Sequence, residues 1–475
     1  MRDHLLFVTG KLAEKSLARV LADIAPGRFT YEIRVLGVAV AALLTTDLIK
    51  RRLGAIGKAT RVILPGRCRG ELAPLAVAFG VPFERGPDEL KDLPRHFGVA
   101  GKPHDLSRRD VLIFAEIVDA PHLDVDTVLA RAARYAADGA DVIDVGCLPD
   151  VPFPRLAETV QALKAAGHRV SVDSLAPEEL LAGGRAGADY LFSLSSETLW
   201  IADEVSATPI LIGARPREAA SLFESIDAFG GRGRPFYADA ILDPIHYGFT
   251  ASLGRYMTLR ARYPEVAIMM GLGNLTELTH ADTAGVNALL LGICSELDVA
   301  AVLTTEVSPH CRSAVREIEL GARIMRAARE EHAPPRHIDE GLLALHERHP
   351  FPYSTQEITE FARAVKDDNF RIQVSAESIH IYNRHGLHSA RDPYDLFPRL
   401  GVDADGAHAF YLGLELARAQ IAWQLGKRYE QDAALTWGVA IAARPEDKRR
   451  FAAARSTLEA RRARRRPRDD QGGAE

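Results

Sequence analysis

The spacing of hydrophobic positions changes twice along the chain, which predicts three folded segments. Residues 1–100 alternate short apolar runs with amphipathic helical stretches, a pattern that is typical of a small α/β layer. Residues 105–335 repeat a strand and a helix eight times, and residues 350–460 follow a proline-rich break with a different pattern. In the first segment the strands are predicted at His4–Thr9, Tyr31–Val35 and Arg61–Leu64.

The eight β-type runs of the middle segment decide its architecture. Eight consecutive β/α units match a closed parallel barrel, whereas open doubly wound sheets usually have fewer strands. We therefore predict an α/β fold: a (β/α)8 TIM barrel flanked by an N-terminal α/β domain and a C-terminal α+β domain. The predicted barrel strands are Val111–Val118, Val142–Gly146, Arg169–Asp173, Tyr190–Leu194, Pro209–Gly213, Phe236–Leu242, Val266–Gly271 and Val299–Thr304.

The C-terminal segment predicts a strand pair followed by two helices. The strands are expected at Phe370–Val374 and Ser378–Tyr382, and the helices at about 406–427 and 431–444. Residues 461–475 combine clustered arginines with an acidic, glycine-rich end, which indicates a disordered tail.

Composition and charge exclude several classes of protein. Hydrophobic residues make up 47% and charged residues 26% of the 475 positions, as in ordinary globular proteins. The formal net charge of −5 argues against nucleic-acid binding. The four cysteines form no CxxC pair, and neither a signal peptide nor a membrane span is evident. We therefore expect a cytoplasmic protein whose partners are small molecules, with no membrane or nucleic acid among them.

Polar residues, most of them acidic, end the predicted barrel strands. The active sites of such barrels lie at the carboxyl ends of the strands, so these side chains are expected to converge on one mouth. Carboxylates buried there need partners, either the donor edge of a flat, guanidine-like heterocycle or an oxygen-preferring cation such as Mg²⁺. The candidates, in strand order, are Glu116, Asp119, Asp144, Asp173, Ser193, Asp243, Asn274 and Glu306.

Three of these strand ends resemble dihydropteroate synthases, in the same order and at similar spacing. They are Val142–Gly146, Val170–Ser174 followed by Pro177-Glu178, and Ile241–Pro244 with Gly248-Phe249. The resemblance covers about residues 109–310 and implies a barrel that takes a pterin as substrate.

In that family the acids ending the third and sixth strands hold the pterin, which implies catalytic roles for Asp173 and Asp243. Ser193, at the fourth strand, is implied to assist, where the family usually has asparagine. The alternatives are a helix cap for Asp173 and a turn-forming Asp-Pro for Asp243.

The seventh and eighth strand ends depart from dihydropteroate synthases, because the usual lysine is missing. The seventh, which begins at Gly271, instead resembles pterin-dependent methyltransferases, where an asparagine at the place of Asn274 hydrogen-bonds the pterin; a turn cap is the alternative. Asp144, Gly271, Glu306 and His310 are further substrate-binding candidates. For His310, the start of a surface helix is an equal alternative.

The three-part layout resembles a dihydropteroate synthase-like family linked to tetrahydromethanopterin biosynthesis. This implies a transferase that condenses 6-hydroxymethyl-dihydropterin diphosphate with an arylamine, such as a ribofuranosylaminobenzene phosphate. Glu116 and Asp119 are the predicted Mg²⁺ ligands at the diphosphate. A pterin-dependent methyltransferase and a non-catalytic pterin-binding protein are the alternatives. The resemblance also favours a homodimer.

Overall fold

The computed structural model describes residues 3–38, 40–88, 90–99 and 104–442. Contacts divide the chain into two compact units, one containing 1–103 with 345–435 and the other 104–344 with 436–442. The sequence pattern treats the two terminal segments as separate domains, and that division stays a prediction. The predicted tail at 461–475 lies outside the described residues.

The N-terminal part is a parallel sheet in the order β2-β1-β3-β4. Both faces of its first strand are apolar: Leu5 and Phe7 pack in one core cluster, and Leu6 and Val8 pack in another. A parallel strand covered on both faces needs this continuous apolar run. The elements are β1 (His4–Thr9), α1 (Glu14–Ile24), β2 (Thr30–Val35), α2 (Thr46–Arg52), β3 (Arg61–Leu64), α3 (Ala73–Phe79), β4 (Phe83–Arg85) and α4 (Leu93–His96).

The middle of the chain forms a closed barrel of eight parallel strands, which confirms the predicted (β/α)8 fold. Its strands are β5 (Leu112–Ile117), β6 (Val142–Gly146), β7 (Arg169–Asp173), β8 (Tyr190–Leu194), β9 (Thr208–Leu211), β10 (Tyr237–Asp239), β11 (Ala267–Gly271) and β12 (Ala301–Thr305). Its helices are α5 (Val125–Asp138), α6 (Leu156–Ala165), α7 (Pro177–Arg185), α8 (Ile201–Glu204), α9 (Ala219–Gly230), α10 (Phe249–Arg262), α11 (Gly273–Thr276), α12 (Thr283–Glu296) and α13 (Ala314–Glu330).

Alternate residues of the barrel strands serve two different cores. On β5, Ile113 and Ala115 point outward and pack in the large cluster that includes the surrounding helices. Phe114 points inward, where its ring meets Tyr190 and Phe192 of β8 on the far side of the barrel. The barrel interior is therefore a packed apolar core below its mouth, not a pore.

The C-terminal part contains an antiparallel sheet in the order β13-β14-β15. The predicted strand pair and first helix are confirmed. The sheet has one further strand, which the sequence pattern did not predict because its residues are only weakly apolar. The helix predicted at 431–444 is wrong over its described part, which holds only a 3-10 turn at Gly438–Ala440. The elements are α14 (Thr355–Ala364), β13 (Arg371–Val374), β14 (Ile379–Asn383), β15 (Gly386–Ala390), α15 (Pro393–Leu396) and α16 (Gly406–Leu425). Among the described helices, none has the length and apolar character that crossing a membrane requires.

The packing of α7 on β7 depends on a glycine. A Cβ atom at Gly183 would lie 2.7 Å from Val172 Cγ2, whereas a Cβ at the exposed helical Gly254 would meet nothing within 4 Å. We expect Gly183→Ala to lower the free energy of unfolding by about 1–3 kcal/mol through overpacking. The matched Gly254→Ala variant should be unchanged or more stable by up to about 1 kcal/mol, since alanine favours the helix. Urea unfolding measures both, and equal stability of the two variants would contradict this packing.

Candidate active site

Three carboxylates converge at the mouth of the barrel because of the two-residue period of its strands. Phe114 and Val142 face the apolar interior, and two residues further along, Glu116 and Asp144 face the same way. Asp173, at the end of β7, completes the group. One oxygen from each of the three carboxylates lies within 4.8 Å of the others. The strand alternation thus places an acidic rim directly on an apolar floor.

The absence of a side chain at Gly146 makes room for this cluster. Gly146 lies opposite Asp173 in the register of β6 and β7. A Cβ atom at Gly146 would lie 2.5 Å from Glu116 Oε1, closer than any real contact allows. The glycine therefore leaves the space that the carboxylate of Glu116 occupies in the cluster.

Asp144 is fully buried, and neither of its carboxylate oxygens has a hydrogen-bond partner among the described residues. Burial, together with the negative charges of Glu116 and Asp173, raises the pKa of Asp144 well above its usual range. Burial also raises the pKa of Glu116 to about 8, with contributions from Asp173 and Glu277. Such a group is stable only if it is protonated or if a ligand brings donors or positive charge.

Asp173 is the member of the cluster that has a hydrogen-bond partner. The hydroxyl of Ser193 donates to its Oδ1 at 2.8 Å, which favours the charged form, although burial raises the pKa of Asp173 overall. Ser193 has a left-handed backbone with φ of 64°, where the pairing of β8 with β9 shifts register. Non-glycine residues held in this conformation are often found at functional sites.

The sequence analysis missed a fourth inward carboxylate, Asp239. The apolar run continues to Leu242, so the sixth barrel strand was predicted to end beside Asp243, but β10 ends at Asp239. Burial raises the pKa of Asp239 to about 6, and the charge of Asp173 adds to this increase. The hydroxyl of Tyr256 and the backbone N–H of Ile241 donate hydrogen bonds to Asp239, and both bonds oppose this increase in its pKa. The signal for Asp239 was its strand parity, two residues after the interior Tyr237.

Asp243 lies in the loop after β10 and forms a salt bridge with Arg255. A guanidinium nitrogen of Arg255 lies 2.8 Å from its Oδ2, and Arg255 also donates to the carbonyls of Ala240 and Ile241. Asn274 donates to the carbonyl of Leu242 at 2.9 Å. The structure therefore places Asn274, at the start of α11, in contact with the loop that carries Asp243. In that loop Ile241 has φ of 59°, a strained conformation for a β-branched residue.

The other predicted residues lie in separate contacts. Asp119, predicted to join Glu116 at a metal, is half-exposed and pairs with Arg131 outside the three-carboxylate cluster. Glu306 pairs with Arg134 at 2.6 Å, and its other oxygen accepts from the backbone of Val315 at 3.0 Å.

His310 and Gly271 lie near the two ends of the segment that contains α11. The His310 ring nitrogen Nε2 lies 3.1 Å from the carbonyl oxygen of Thr276, so it contacts the end of α11. Gly271 is the last residue of β11, and a Cβ atom there would meet nothing within 4 Å. There is thus open space beside Gly271.

Known proteins are similar to this chain over ranges that differ in length. Residues 3–88 match a family model described as a family of unknown function, DUF6513. The chain is 25% identical over 519 residues to the uncharacterized protein MJ0107 of Methanocaldococcus jannaschii, an alignment that covers 90% of this chain and 98% of that protein.

Among solved structures, dihydropteroate synthases are similar to about half of the chain. The enzyme from Yersinia pestis, in a sulfonamide drug complex, has a TM-score of 0.38 at 16% identity, covering 48% of this chain and 96% of its own. The enzyme from Coxiella burnetii, in complex with pteroic acid, has a TM-score of 0.38 at 16% identity, covering 47% and 94%. The enzyme from Xanthomonas albilineans has a TM-score of 0.36 at 20% identity, covering 47% and 94%. These low values do not extend the activities of those proteins to this chain.

Proposed function

We propose that the barrel is a pterin-dependent transferase that condenses 6-hydroxymethyl-dihydropterin diphosphate with an arylamine. The observation that carries this proposal is the acidic rim, above all Asp144, which is buried with no hydrogen-bond partner among the described residues. A buried carboxylate is stabilised in its charged form by donors or positive charge, so the rim favours a ligand of that kind.

The donor edge of a pterin suits such a rim. Its 2-amino group and adjacent ring N–H donate side by side, as a guanidinium does to a carboxylate. We assign this edge to Asp173, which Ser193 orients at 2.8 Å. Asp243 uses Oδ2 for Arg255, and we propose that its other oxygen accepts from the ring. Asn274 is proposed to contact the same ring from its neighbouring position.

The oxygen donors of the cluster also fit a divalent cation. Mg²⁺ takes oxygen ligands about 2.0–2.1 Å away in octahedral geometry, so ligand oxygens must lie within about 4.2 Å of one another to share one ion. The oxygens of the cluster lie within 4.8 Å of one another, so their side chains would have to move slightly closer around the ion. We propose Glu116 and Asp144 as its ligands, with Asp173 beside them, in place of the pair of Glu116 and Asp119. A bound cation would stabilise the negative charge of the departing diphosphate.

In the proposed reaction the protein mainly orients the two substrates. In the proposed reaction the arylamine nitrogen forms a bond to the pterin methylene carbon while the carbon–oxygen bond to diphosphate breaks. The acids and Asn274 hold the ring so that the two substrates meet in line. The proton lost by the amine goes to a rim carboxylate. We propose Asp239, since a pKa of about 6 suits a base that works near neutral pH.

A pterin-dependent methyltransferase is the second candidate, favoured by the contact of Asn274 with the loop that carries Asp243. Calorimetry with 6-hydroxymethyl-dihydropterin, its diphosphate and a methylated tetrahydropterin separates the candidates, together with assays of turnover. Diphosphate release that depends on an arylamine supports condensation. Methyl transfer to a cobalamin supports the second candidate, and pterin binding without turnover supports a binding protein.

Removing the charge of the proposed ring ligands should weaken pterin binding. We expect Asp173→Asn and Asp243→Asn each to reduce the affinity for 6-hydroxymethyl-dihydropterin by about 1.5–3 kcal/mol, or roughly 10- to 150-fold, because each loses a charge-assisted hydrogen bond. Isothermal titration calorimetry measures this. The exposed Asp126→Asn variant on α5 is the control and should bind as the wild type does. Unchanged affinity in both rim variants would remove these residues from the site.

The raised pKa of Glu116 should appear in the pH dependence of stability. Since its pKa rises from 4.5 to about 8 on folding, the protonated form stabilises the protein at low pH, and this contribution is lost as the pH rises through 8. Glu116→Gln stays neutral, so its free energy of unfolding should exceed that of the wild type by more at pH 9 than at pH 5. Urea unfolding at both pH values measures the difference. The exposed Glu158→Gln variant should show none, and a Glu116→Gln effect that does not change with pH would contradict the burial of this charge.

A cation at the cluster should stabilise the folded protein. At a Mg²⁺ concentration of about 100 times Kd, one site adds roughly 2.7 kcal/mol, which thermal unfolding detects as a rise in Tm. We expect Asp144→Asn to abolish this rise and Asp119→Asn to retain it, because Asp119 pairs with Arg131 instead. No rise in the wild type, or the same rise in Asp144→Asn, would exclude the proposed cation site.

A further inference from the structure

A cavity of about 380 Å³ lies in the other unit of the protein, at the carboxyl ends of β1 and β3. The chain passes from β1 to β2 on one side and then to β3 on the other, so the strand order reverses between β1 and β3. Open α/β sheets bind their ligands in the crevice outside the strand ends at such a switch point. Thr9, Pro65 and Gly66, which follow or end these two strands, line the cavity.

Residues from the C-terminal part of the same unit form the opposite wall. On β13, Ile372 and Val374 pack in the core of the C-terminal sheet, whereas Arg371 and Gln373 line the cavity. Tyr382 of β14 lies beside them and donates to Gln373 Oε1 at 2.7 Å. The alternation of β13 therefore presents a polar face to the cavity, although the two walls are more than 250 residues apart in sequence.

The lining combines aromatic rings with a few polar groups. Phe7, Tyr353, Phe361 and Tyr382 contribute rings, which favour a flat aromatic ligand. The volume is in the range of small-molecule sites, roughly 300–1,000 Å³, and exceeds what a bare fused ring needs.

Hydrogen-bonding groups are available to fix such a ligand in one orientation. The hydroxyls of Thr9 and Ser16 and the amide nitrogen of Gln373 have no side-chain hydrogen bond to the described residues. A donor and two hydroxyls of this kind suit the polar edge of a base and the hydroxyls of a sugar.

Charges around the cavity argue against an anionic ligand. The charged lining side chains among the described residues are one acid, Asp88, and one base, Arg371. The guanidinium of Arg371 is held in a paired contact by the two oxygens of Asp367, at 2.8 Å each.

The turn that leads into α1 is also unfavourable for an anion. The backbone N–H groups of Lys11 and Ala13 donate to the carbonyls of Val38 and Gly10, and Glu14 places a negative charge in the first turn of the helix. We propose that this cavity is a second ligand site, for a neutral nucleoside with a fused-ring base and without phosphate.

Calorimetry on the full chain with adenosine and guanosine, each compared with its 5′-monophosphate, tests the proposal. We expect saturable binding of at least one nucleoside at one site, and at least tenfold weaker binding of its monophosphate. Ser16→Trp, which fills the cavity from α1, should reduce the nucleoside affinity at least tenfold. Lys15→Trp, at the adjacent exposed position of the same helix, should not.

Two further variants test whether a loss of nucleoside binding comes from the cavity itself. Gln373→Leu removes a polar lining group from the opposite wall and should weaken binding even if Ser16→Trp does not fold. Asp173→Asn should leave nucleoside binding unchanged, so this site and the proposed barrel function can fail independently. No saturable binding of either nucleoside, tighter binding of a monophosphate, or wild-type affinity in Gln373→Leu would overturn the proposal.

Discussion

The two-residue period of parallel strands, closed into a barrel, is the constraint on which the site depends. Successive side chains of a strand point to opposite faces, so a residue that faces the interior is followed two positions later by another. Phe114 and Val142 fill the interior, and the same parity brings Glu116 and Asp144 to the mouth. The apolar core and the acidic rim are thus consecutive layers of one pattern, and neither can shift by a residue without exchanging places with the outer face.

The carboxylates of the barrel differ in how their charge is compensated, and this difference locates the site. Asp119, Asp243 and Glu306 each have an arginine beside them. Among the described residues, Glu116, Asp144 and Asp173 have no arginine or lysine paired with them, so burial and mutual repulsion raise their pKa values. An arrangement that is unfavourable for the free protein becomes favourable once a ligand brings donors or a cation. This is the physical basis of the proposed pterin and cation binding.

The two proposed sites use opposite electrostatic designs. The barrel mouth concentrates negative charge. In the cavity of the other unit, Asp367 neutralises the charge of Arg371, and hydroxyl and amide groups are left for a neutral ligand. Both sites nevertheless lie at the carboxyl ends of parallel strands, where the loops are free to vary while the sheet stays constant. A chain with two such sheets therefore has two natural places for small molecules.

The amino-acid sequence by itself determined the fold class and most of the barrel strands. The bounds of β6, β7 and β8 follow from their apolar runs, and eight repeated units match a closed barrel. Tertiary structure alone decided which acids meet. It ended β10 at Asp239 instead of Leu242, paired Asp119 with Arg131, and gave Glu116 the space above Gly146. Periodicity depends on neighbours along the chain and can be recognised in sequence, but the partner of a charge lies on another strand or helix. That partner is set by packing between distant segments, which no local pattern specifies.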